Sequence, residues 1–163
     1  MSKVFSLLFF LNLISVTAKS QAPDLSKLKN DQEKVSAWLD YCAQLRLNKN
    51  GAKDNYVVLQ QAGQKGLQLV KADDNENKAS FFLYTALGYY YQLKADSAQY
   101  YFYQSLYSAQ KANATKLIAG ACEALMSINF QMQQPNKVDS CKNILQTIAD
   151  TTNDKPILQD IYS

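Results

Sequence analysis

The stretch "LYTALGYYYQLKADSAQYYFYQSLYSAQKAN", Leu83 to Asn113, holds eight of the chain's eleven tyrosines, one glycine and no proline. Its apolar residues recur at spacings of three and four on both sides of "LKAD", the pattern of two amphipathic helices joined by a short turn. The glycine, Gly88, falls in the middle of the first helix. A glycine there costs about 1 kcal/mol relative to alanine, so a packing reason is expected. Close approach of a neighbouring helix supplies one, with a small residue on each side of the crossing. Ala98 is the expected partner facing Gly88.

Working outward, the whole chain past Pro23 reads as helix after helix. β-branched residues are sparse and no run alternates with period two. The expected helices cover roughly 31–47, 54–70, 76–94, 96–112, 115–133 and 137–149, with a seventh segment opening at Pro156. "NKNG" ends the first helix and "ADDNEN" the second. Asp96, with Gln99 three residues on, is the expected cap of the fourth. Pro135 breaks the fifth, and Asn136 is the expected cap of the sixth. Short connections between helices of this length predict antiparallel hairpins.

The hairpins repeat. Gly66-Leu67 aligns with Ser105-Leu106 and then Ile144-Leu145, each at a shift of 39 residues. At the same shift Leu87 falls on Met126, Gly88 on Ser127, and Tyr91 on Phe130. A second echo, "ADSA" with "VDSC", gives 43 instead and leaves that register open by one helical turn.

With these residues the chain resembles the tetratricopeptide repeat family. Tyr84, Leu87, Gly88 and Tyr91 match the family's aromatic, Leu-Gly, aromatic spacing in the first helix of the hairpin. Ala98, Phe102 and Ser105 match its small, aromatic, small pattern in the second. Met126, Ser127 and Phe130 keep the pattern in the next repeat, where Cys141 stands near an aromatic position, and the hairpin at 31–72 is degenerate. The resemblance implies an all-α, right-handed αα-hairpin solenoid of about three hairpins (31–72, 76–112 and 115–150) and an incomplete terminal helix. It implies that Tyr84, Leu87, Gly88, Tyr91, Ala98, Phe102, Met126, Ser127 and Phe130 pack the repeats. It also implies a concave groove from the first helix of each hairpin, formed by Phe82, Thr85, Tyr89 and Gln92, then Ala121, Ala124, Ile128 and Gln131. Such a groove is aromatic and amide-lined, and suits a protein or peptide partner.

Composition narrows the function further. Histidine is absent, which removes the commonest general base and metal ligand. No catalytic motif replaces it and no cofactor or metal is expected. Asp73-Asp74 reads as solvated turn, without the ligand spacing of a calcium loop. Lys plus Arg number 17 against 14 acids, without the basic stripe that nucleic acid demands.

Residues 1–20 have a positive start, the apolar run "VFSLLFFLNLISV" and small residues at Ala18 and Ser20, the form of a secretory signal cut near Ser20. An uncleaved anchor is the alternative. Residues 21–30 read as a linker before the repeat domain at 31–163. The mature part is expected outside the cytoplasm, secreted or periplasmic, with no membrane insertion of its own.

Cys42, Cys122 and Cys141 all fall in apolar helical patterns and read as buried thiols. A Cys122–Cys141 bridge is the alternative if their helices are antiparallel neighbours. A signal followed by long degenerate repeats is typical of the extracytoplasmic input region of Bacteroidetes-type sensor proteins, and "KPILQDIYS" reads as the start of a further repeat. The resemblance therefore implies a sensor-type protein-binding scaffold. The rival is a stand-alone structural or oligomerisation module, self-associating through its terminal helix.

Overall fold

Three helix ends in this protein are built alike. Leu93, Asn113 and Gln133 each take a left-handed backbone, with φ of 61°, 52° and 57°. Behind Leu93, the N–H of Lys94 donates to the Tyr89 carbonyl at 3.0 Å and that of Leu93 to Tyr90 at 2.9 Å. The same pair recurs as Ala114 to Ala109 and Asn113 to Gln110, then as Gln134 to Asn129 and Gln133 to Phe130. This is the Schellman motif, which satisfies carbonyls that a helix end leaves open.

The computed structural model describes residues 21–47 and 54–152. Among them are six α-helices and no strand: α1 Asp31–Leu47, α2 Asp54–Leu67, α3 Asn75–Tyr91, α4 Ala95–Lys111, α5 Thr115–Gln131 and α6 Pro135–Thr152. No described helix is long and apolar enough to cross a membrane. The expected signal at 1–20, the "NKNG" turn and the segment after Pro156 lie outside the described residues.

The helices fall where the apolar spacing places them, but several ends move. α3 and α5 stop at Tyr91 and Gln131, because the left-handed residue two positions on terminates each. Asp96 is not a cap: Lys94 holds that position without a side-chain bond. Asn136 lies inside α6, which opens on Pro135. Proline suits a first helical position, since its missing N–H would have had no partner there. The linker holds a single 3₁₀ turn, Leu25–Lys27, where the Asp24 carboxylate accepts from the Ser26 N–H at 3.1 Å. Before α1, the Asn30 side chain accepts from the Glu33 N–H at 2.9 Å, and Glu33 accepts from the Lys29 N–H at 2.8 Å.

From α3 onward each helix starts 20 residues after the one before, so the hairpin period is 40, not 39. One residue is 100° around a helix, and the shift reassigns faces. Ile128, not Ser127, stands where Gly88 stands, and Gln131, not Phe130, stands where Tyr91 does. Accordingly Ser127 is exposed and Phe130 is 79% exposed, not packed between repeats. Tyr91 is itself 46% exposed and lies stacked on Tyr56 at 4.5 Å. Phe102 and Ala98 are fully buried, Gly88 is buried, and Tyr84, Leu87 and Met126 are half-buried against the core.

Extensive packing joins consecutive helices, and α3 also touches α1 and α5. Two cores result. Val35, Trp38, Cys42, Leu45, Leu59 and Phe81 fill the space among α1, α2 and α3. Phe102, Cys122, Leu125, Ile128, Cys141 and Leu145 fill that of α3 to α6. Leu87 packs against both.

α2 and α3 cross closely. A Cβ on Gly88 would lie 2.6 Å from Gln60 N, one on Gly63 would lie 2.9 Å from Thr85 N, and one on Gly66 would enter the Phe81 ring. The contacts run in opposite chain order, so the pair is antiparallel. Gly88 thus serves a close crossing, as its position suggests, but against Gln60 of α2, not Ala98 of α4.

Leu93 offers a direct test of the turn geometry. A left-handed conformation costs a residue bearing a Cβ about 1 kcal/mol, and this side chain is 92% exposed, so it loses no packing when removed. Leu93→Gly is expected to stabilise by roughly 0.5–1 kcal/mol after the added chain entropy of the unfolded state. Asn113→Gly should gain less, since asparagine tolerates this region. Urea midpoints of the two variants provide the comparison.

Candidate functional site

The residues expected to line one groove do not come together. Thr85, Ala121 and Ile128 are fully buried and unavailable to a partner. Thr85 sits at the α2–α3 crossing with its hydroxyl donating to the Phe81 carbonyl at 2.8 Å. Ala121 and Ile128 belong to the larger core, and Ala124 is half-buried against it. Gln92 donates to the Tyr56 carbonyl at 3.3 Å and to that of Gly88 at 3.0 Å, tying the end of α3 to the start of α2. Gln131 is exposed on α5 and donates to the Tyr90 hydroxyl at 2.8 Å.

Phe82 and Tyr89 do share a surface, between α2 and α4. Tyr89 stacks on Tyr101 at 5.5 Å, with Phe82 at 6.2 Å from the same ring. The Gln64 side chain donates to both tyrosine hydroxyls at 3.4 Å, and the Lys94 ammonium lies 5.7 Å from the Tyr89 ring. This layer is half-buried and its polar ends are already engaged. Packing accounts for it without a partner.

The more open aromatic surface is on α4. Tyr100 and Tyr107 are 58% and 57% exposed. Tyr103, Gln104, Leu106, Tyr107 and Gln110 line an open cleft of about 470 Å³. Their spacings of one, three, four and seven put them on one side of the helix. The Lys111 ammonium lies over the Tyr107 ring at 4.4 Å and that of Lys137 is 5.9 Å from Tyr103. Behind the cleft, buried Asn129 donates to the Tyr103 hydroxyl at 3.4 Å and accepts from Gln99 at 2.7 Å, holding the tyrosine in place.

Chemically, the cleft offers aromatic faces and two carboxamides, each of which both donates and accepts. No carboxylate is among the lining residues. Extended polypeptide, with apolar side chains and backbone amides, presents the complementary groups. Among the described residues no group of three or more acidic, cysteine or histidine side chains could hold a metal. Asp74 is occupied as the cap of α3, accepting from the Asn77 N–H at 3.2 Å.

Sequence reasoning missed Tyr100, Tyr103, Gln104, Tyr107 and Gln110 because the family resemblance assigns the groove to the first helix of each hairpin. The signal was present: tyrosines at 100, 103 and 107 are spaced to share a helix face.

Comparison with family models, with curated proteins and with solved structures finds no match to this chain.

Proposed function

We propose that this chain is an extracytoplasmic helical-repeat scaffold of tetratricopeptide type that binds a protein or peptide segment, and that it serves as the input region of a signal-transduction protein. One observation carries the repeat reading: helices start every 20 residues from α3 to α6, with the same Schellman turn between them. An array built this way stacks each unit on its neighbours, and the packing of consecutive helices accords with it. The secretory form of residues 1–20 supports export. The cleft of α4 supports recognition of polypeptide, by stacking on Tyr107 and amide pairing with Gln104 and Gln110.

Peptides selected from a displayed library against the full chain would test this. The double variant Gln104→Ala/Tyr107→Ala is expected to weaken the selected peptides at least tenfold, as loss of an aromatic anchor does, with helicity unchanged. Equal affinity in wild type and variant would remove the α4 cleft from consideration.

A structural, self-associating module is the second reading. Leu93 and Phe130, 92% and 79% exposed near the ends of α3 and α5, favour it. Molar mass against concentration in solution separates the two, since only self-association makes the mass rise.

A further inference from the structure

We propose that Cys122 and Cys141 form a dithiol site that a disulfide-bearing oxidant converts into a bridge stapling α5 to α6. Both side chains are buried, 0% and 2% exposed, in one core cluster on consecutive packed helices. The 40-residue period places them where Phe82 and Tyr101 stand in the preceding hairpin, and those two rings meet across the α3–α4 seam at 6.2 Å. In the terminal hairpin two thiols replace the two rings, and they share a hydrogen bond. A bridge needs its two Cα atoms within about 7 Å, a spacing that facing positions on closely packed consecutive helices can meet.

The two thiols perturb each other: hydrogen bonding between them pushes the Cys122 thiol up and holds the Cys141 thiol below its ordinary value. Cys141 lies on α6, the helix that opens, and is the thiol a donor reaches first. Its thiolate attacks one sulfur of the donor disulfide, forms a mixed disulfide and expels the first donor thiolate. Cys122, losing its proton, then attacks the Cys141 sulfur and expels the second. Two protein thiols are oxidised to one disulfide, the donor disulfide is reduced to two thiols, and the two protein protons end on them. Access comes from local opening of α6, whose extensive packing among the described helices is with α5 alone. Cys42 stays outside this chemistry. It lies fully buried in the other core, where burial pushes its thiol up to about 12.

The test treats the full chain with oxidised glutathione, blocks remaining thiols by alkylation, and maps tryptic peptides by mass. Peptides 117–137 and 138–142 are expected as one disulfide-linked species, with peptide 35–46 alkylated at Cys42. The oxidised chain is expected to melt on the order of 5–10 °C above the same sample in reductant. Cys122→Ser should lose that difference, and Cys42→Ser should keep it. Glutathione left attached to Cys122 or Cys141 would overturn the proposal, as would a bridge that includes Cys42. So would thiols that both remain alkylatable after refolding from urea in a glutathione redox buffer, where burial no longer protects them.

Discussion

Gly88→Ala is expected to destabilise the protein by about 2–3 kcal/mol, read from the urea midpoint. A Cβ at this position meets Gln60 Cβ and N at 2.6 Å and Gln60 Cα at 2.7 Å. Two of these are main-chain atoms, and a helix backbone cannot rotate aside as a side chain can. The helices must part instead, which also loosens the close contacts of Gly63 and Gly66 on the same crossing. Alanine recovers about 1 kcal/mol of helix propensity, and the expected net loss already includes it. Gly120→Ala is the control. It is the same substitution inside α5, where an added Cβ meets nothing within 4 Å. It should stabilise by about 1 kcal/mol. Shifts of the same sign at Gly88 and Gly120 would refute the α2–α3 crossing.

Phe81→Ala has the larger expected cost, about 3–5 kcal/mol. The ring is fully buried, belongs to the α1–α3 core and rests on Gly66, with no room for a Cβ between them. Alone, Gly66→Ala should also destabilise, because the ring is enclosed and cannot retreat. In the Phe81→Ala background the clash is gone and the new methyl enters the vacated space, so Gly66→Ala is expected to be neutral or stabilising. The double-mutant cycle should return a favourable coupling on the order of 1–3 kcal/mol. Simple additivity of the two losses would mean that Gly66 and Phe81 do not share a contact.

Much of the helical layout is legible in the sequence. The bounds of α1, 31–47, follow from the spacing of Val35, Trp38, Cys42 and Leu45. Boundaries failed where the chain uses unusual residues. Leu93 and Gln133 take the left-handed position that glycine or asparagine normally marks, so the sequence indicated the two turns, at "LKAD" and Pro135, without the residue at which α3 and α5 stop. Asn113, a residue that tolerates this region, did mark the stop of α4. Stops blurred by a residue or two hid the true period. An alignment at 39 instead of 40 places Ser127 and Phe130 in the packing, whereas both are exposed in the structure.

The candidate surface was less legible than the fold. Family spacing directed attention to Phe82, Thr85, Tyr89 and Ile128. Helical periodicity specifies which residues share a face, but not which neighbour covers that face. Thr85 and Tyr89 are four residues apart and share one side of α3, yet Thr85 is sealed by Gly63 while Tyr89 is half-covered by Tyr101.

From the sequence alone came the all-helical class, the hairpin recurrence, the absence of histidine and the need for a close helix crossing at Gly88. These depend on local periodicity and residue chemistry, which operate within one or two turns of chain. Only the tertiary structure decided that Gln60 is the partner of Gly88, that Thr85 is sealed against Gly63, and that Cys122 and Cys141 share one core. Each of these joins residues 19 or more positions apart, and such pairings are selected by shape complementarity between whole helices.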